Sequence, residues 1–182
     1  MEEALSAVDH VITAEMKSRL TKEVTDDEIK FAAFQLGSLK ALGPDGYPSF
    51  FYHQYWDVIG ADVCTAVRSF FANGVLLKEL NHTNLVLIPK IITKILASRL
   101  KEVLAAIISP NQSAFVPGRM IQDNILVAHE AFHYLKLHKR GTQADMATKL
   151  DFNKAYDWVQ WDFLEAILQR MGFHEIWINW VM

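Results

Sequence analysis

The sequence predicts an α+β fold dominated by helices, and three observations carry that prediction. Apolar residues recur at helical spacing in five separate stretches, while only two short apolar runs, at 84–89 and 146–150, have the length and composition of strands. With 182 residues, 51% hydrophobic and 21% charged, the chain can build one core and is too apolar to be disordered.

Thr25 and Glu28 have the spacing of a capping box, and Ile29, Ala32, Ala33 and Leu36 follow at helical intervals until Gly37. Gly43-Pro44-Asp45-Gly46 then breaks the chain. Val63, Ala66, Val67, Phe70 and Phe71 form a second stripe, stopped by Asn73-Gly74. The run NLVLIP, Asn84 to Pro89, reads as a buried or edge strand. Almost without a loop, Ile92, Ile95, Leu96, Leu100, Val103, Leu104 and Ile107 begin a third helix. Pro110 and Pro117 bracket a polar loop, and Ile121 to about Leu137 is helical again. MATKL, Met146 to Leu150, is the second strand and delivers Asp151 at its end. Leu164, Ile167, Leu168 and Met171 make a last full helix, which Gly172 closes. No repeat or low-complexity tract marks a boundary.

One cysteine, Cys64, excludes an internal disulfide and a cysteine-based zinc site and fits a reducing, intracellular compartment. No apolar run approaches the roughly 18 residues of a membrane span, and the acidic N-terminus is unlike a signal peptide. The net charge of -3 hides a pattern. Residues 1–89 carry 7 basic and 12 acidic side chains, residues 90–154 carry 10 and 5, and residues 155–182 carry 1 and 4. The basic middle is either a chance fluctuation on a solvated surface or a strip that faces phosphates.

Asp151 opens DFNKAYD, where an apolar run emerges into a polar stretch, a placement that suits either a Mg²⁺-binding carboxylate or a turn-capping aspartate. The longer run LDFNKAYDWVQWDFL resembles the first carboxylate motif of reverse transcriptases, in the form found in plant non-LTR (LINE-type) retrotransposons. KALGPDGYPSFFY (Lys40 to Tyr52), LVLIPK (Leu85 to Lys90) and ISPNQSAFVPGRMIQDNIL (Ile108 to Leu126) are similar to three further motifs of that family, in the same order.

The resemblance implies a helix-rich, incomplete right-hand polymerase. Residues 1–40 would form an N-terminal helical region and 41–182 a truncated reverse transcriptase domain, with fingers at 41–145 and the first palm motif and following helix at 146–182. It implies RNA-directed DNA synthesis with an RNA template, a DNA primer, deoxynucleoside triphosphates and Mg²⁺. Asp151 would be the catalytic, metal-binding carboxylate and the main-chain carbonyl of Phe152 a further ligand. Tyr156 would be the gate under the incoming sugar, and Arg119 would approach template or nucleotide phosphates, where a bidentate guanidinium fits.

Two departures set limits on that reading. Ile91 follows Lys90 directly where the family has a strand pair with an FRPISL-like motif, and no (Y/F)xDD sequence occurs in the chain. Two-metal phosphoryl transfer needs carboxylates from two palm motifs, so this chain is expected to be inactive as a polymerase by itself. It could retain RNA binding through the basic block at 90–154. His129-Glu130-Ala131-Phe132-His133 also fits the H-E-x-x-H zinc-hydrolase pattern, but Lys136 and Lys139 stand where the extended motif has Gly and His. An unfinished palm sheet would leave a strand edge open and the helices carrying Trp161, Phe163, Trp177 and Trp180 covered on one face only, which favours association.

Overall fold

A computed structural model describes residues 2–37, 49–76, 87–137, 146–148 and 159–182. The helices among them are α1 (Glu2–Ser6), α2 (Ala14–Leu20), α3 (Asp26–Phe34), α4 (Ser49–Gln54), α5 (Trp56–Asn73), α6 (Leu87–Ile107), α7 (Ile121–Leu137), α8 (Trp161–Met171) and α9 (Glu175–Val181).

Local chemistry sets the ends of these helices. Thr13 and Thr25 sit in extended backbone and their side chains accept from the amides of Met16 and Glu28, each at 3.2 Å, so α2 and α3 start where a hydroxyl meets an orphan donor. Asp26, Asp27 and Glu28 then place acidic charge in the first turn of α3, where the helix dipole favours it. Gly74 (φ 69°) and Gly172 (φ 89°) terminate α5 and α8 in the left-handed region, as the sequence predicts.

α3 packs on α4, α5 and α6, α2 and α5 also lie on α6, and α9 packs on α8. One core results. Ile12, Leu20, Ile29, Val67, Ile91, Ile95 and Trp177 are its most deeply buried large side chains. The amino-terminal segment closes over α8: Val11 and Ile12 donate to the Met171 carbonyl at 3.1 and 3.0 Å, Arg170 donates to the Val8 carbonyl, and the His10 ring lies against Gly172.

Three expectations need correction. No residue among those described is in a strand, so the β part of the α+β expectation has no support there. Leu87, Ile88 and Pro89, expected in a strand, are the first turn of α6. Proline is tolerated in that turn because its missing N–H would have no intrahelical acceptor, and Leu87 and Ile88 gain burial on the same core as Ile91 and Ile92. Residues 84–86 lie outside the described residues. In the second expected strand, residues 146–148 are exposed and without regular structure, while 149–151 lie outside the described residues.

Trp177 and Trp180 are not left uncovered. Trp177 is 1% exposed, and Trp180 sets its ring edge-on to Phe71 with centroids 4.8 Å apart while its indole N–H donates to the Phe71 carbonyl at 3.1 Å. Trp161 does remain exposed.

Candidate nucleic-acid interface

α6 carries a broad buried face and, beside it, a line of lysines. At 100° per residue, Ile88, Ile92, Ile95, Arg99 and Val103 share the side turned to the core, and all five are buried. Lys90, Lys94 and Lys101 fall within about 40° of one another, next to the buried Leu87. The three lysines therefore line up along the edge of the buried face, where Leu87 and Ile91 are covered, with Lys90 and Lys94 half-buried and Lys101 exposed.

Arg99 breaks the simple reading of the basic block. It is 5% exposed, and its Nε and Nη2 donate to the two carboxylate oxygens of Glu28, each at 2.8 Å. Nη1 donates to the carbonyls of Leu20 (3.1 Å) and Lys22 (2.6 Å), and the guanidinium lies over the Phe71 ring. This arginine ties α6 to the α2–α3 connection and is neutralised inside the protein, so it cannot meet a phosphate.

Arg119 follows the polar loop between α6 and α7. Its Nη1 donates to the carbonyls of Ser109 and Gln112, each at 2.6 Å, and its Nη2 to those of Ala105 (3.1 Å) and Ile108 (3.3 Å). Ala105 lies in the last turn of α6, whose final carbonyls have no intrahelical donor, and a cation at that end also complements the dipole. The same side chain thus caps α6 and folds residues 108–119 back on it. Ser113 and Val116 are buried, whereas Phe115 between them has φ 64° and is 94% exposed.

The remaining expected site residues, Asp151, Phe152 and Tyr156, lie outside the described residues. His129, Glu130 and His133 are exposed on α7, and among the described residues no group of three His, Cys, Asp or Glu could hold a metal ion. Cys64 is buried at the α5–α3 contact. Burial raises its pKa, the nearby Asp26 carboxylate raises it further and Arg68 opposes, so the thiol stays protonated at neutral pH.

Two informative residues escaped the sequence reading. Arg99 had a usable signal, since it continues the Ile88, Ile92, Ile95 and Val103 spacing and so occupies a core position. Phe115 had none, because a single aromatic in a loop does not announce a left-handed backbone.

Residues 82–182 match the reverse transcriptase (RNA-dependent DNA polymerase) family. The chain is also 31% identical over 185 aligned positions to the "Transposon TX1 uncharacterized 149 kDa protein" of Xenopus laevis, an alignment covering 90% of this chain and 14% of that protein. The matched region contains α6 with its lysine stripe, the Arg119 loop and the stretch around Asp151. The chain belongs to the reverse transcriptase family.

Proposed function

We propose that residues 87–126 form a nucleic-acid-facing segment of a retrotransposon reverse transcriptase, with the lysine stripe of α6 set against the phosphates of an RNA template paired to a DNA primer. The observation that carries this reading is the alignment of Lys90, Lys94 and Lys101 along one line of α6 at the edge of its buried face, running toward the Arg119 loop inside the family match.

In this proposal Asp151 and the Phe152 carbonyl are the oxygen donors that would hold Mg²⁺, a hard cation suited to such ligands. When bound, that ion supplies charge stabilisation for phosphoryl transfer to the primer hydroxyl. Tyr156 would pack under the sugar of the incoming nucleotide and exclude a 2′-hydroxyl. One carboxylate motif would offer too few oxygen ligands to hold the two ions that phosphoryl transfer uses. Asp157 lies six residues past Asp151 and does not replace the missing pair, so the 182-residue polypeptide is expected not to extend a primer.

Arg119 is assigned to holding its loop, because both terminal nitrogens are already directed at carbonyls. The test is primer extension on an RNA template with Mg²⁺ or Mn²⁺, run beside a single-stranded RNA titration. No extension together with weak, salt-sensitive binding is expected. Template-dependent incorporation abolished by Asp151→Asn would overturn the inactive reading, and absence of RNA binding at low ionic strength would overturn the interface.

A further inference from the structure

Phe115 combines two features that folding alone does not reward. Its backbone is in the left-handed region, at φ 64°, which is unfavourable for a bulky non-glycine residue, and its side chain is 94% exposed, so no burial offsets that cost. The surrounding loop is nonetheless firmly held. Ser113 and Val116 are buried on either side, Val116 and Arg119 donate backbone bonds to the carbonyls of Ser113 and Val116, and the Arg119 guanidinium ties the loop to the end of α6. Gly118 (φ 78°) adds a second left-handed residue, and a Cβ there would meet nothing within 4 Å, so the space beside the loop is open.

We infer that Phe115 is a stacking platform for an unpaired base of single-stranded RNA, and that Arg119 is the positioning residue that presents it. The inference rests on the nucleic-acid reading above and adds the contact that reads a base face. An aromatic ring on a fixed loop loses little freedom when a base stacks on it, and a ring stacks on any base, so the contact has little sequence preference. The lysines of α6 would then hold the backbone of the same strand while Phe115 holds one base.

The experiment is fluorescence anisotropy with a labelled single-stranded oligouridylate of about ten nucleotides, at several salt concentrations, with thermal unfolding of each variant. Phe115→Ala should weaken binding about tenfold and Phe115→Tyr should retain it. Phe115→Gly should also weaken binding but leave the thermal midpoint unchanged or higher, because glycine accepts this backbone conformation. A residue with a purely structural role would lower the midpoint in the Gly variant. Arg119→Ala should weaken binding without changing the slope of log affinity against log salt, since it touches no phosphate in this assignment.

Wild-type affinity in Phe115→Ala would overturn the inference while leaving the interface intact. Conversion of an associated wild type to a monomer by that substitution, with RNA affinity unchanged, would overturn it in favour of a contact with a second copy. Failure of the wild type to bind would overturn the nucleic-acid reading itself, and this inference with it.

Discussion

Arg99 and Arg119 do similar work in two contrasting parts of the molecule. Both direct guanidinium nitrogens at main-chain carbonyls and both fasten α6 to something else. Arg99 does so inside the core with a carboxylate partner, whereas Arg119 does so at the surface with carbonyls alone. The helices differ in the same sense. α3, α5 and α6 bury their apolar stripes on one another, while α7, just past Arg119, buries no residue and leaves Ile121, Ile125, Leu126 and Phe132 exposed. Cations of one basic block are thus divided between holding the fold and standing on its surface, and sequence charge alone does not divide them.

Breaking the inner clasp should have the largest effect. Glu28→Ala leaves a buried guanidinium without its counter-charge, and denaturant unfolding should show a loss of about 3 kcal/mol or more. Replacing both partners by apolar residues, Arg99→Met with Glu28→Leu, should recover much of that loss, because neither charge then needs solvating. An unchanged midpoint in Glu28→Ala would mean that the carbonyls alone satisfy Arg99.

Gly172→Ala comes next. The φ of 89° is unfavourable for any side chain, and the new methyl would run into the His10 ring, so a loss of about 2 kcal/mol is expected. His10→Ala should relieve the steric part and leave the backbone part, which a double-mutant cycle separates.

At the outer clasp the cost should be smaller. Arg119→Ala is expected to lower stability by about 1 kcal/mol, since the carbonyls it releases can reach water. Faster amide exchange confined to the α6–α7 loop would support that assignment, and exchange spread through the core would count against it.

The smallest effect concerns Cys64. With its pKa raised by burial and by Asp26, the folded thiol should react with an alkylating reagent far more slowly than the unfolded one at pH 8. The linked stability is full below the ordinary thiol value of 9.0 and is lost as pH rises through the higher folded value. Equal labelling rates in native and denatured protein would show the site to be open.

Much of the helical framework was legible because caps and stops are local. Thr25, Gly74 and Gly172 mark their helix ends by side-chain chemistry or backbone freedom within a few residues. The run at 84–89 misled because a short apolar segment fits strand or helix equally well, and what decides Leu87 and Ile88 is a core assembled from distant residues such as Ile29 and Val67. Family membership was legible through the ordered motifs. The clasping roles of Arg99 and Arg119 were not, since their partners lie 71 positions away in one case and are main-chain carbonyls in the other.

The most direct test of this division of charge is the salt dependence of single-stranded RNA binding. Lys94→Gln with Lys101→Gln should reduce the slope of log affinity against log salt by about 1.4, roughly 0.7 for each phosphate of a single strand no longer neutralised, while Arg119→Ala leaves the slope unchanged. A lysine variant with the wild-type slope, or an Arg119→Ala slope reduced by about 0.7, would contradict that division.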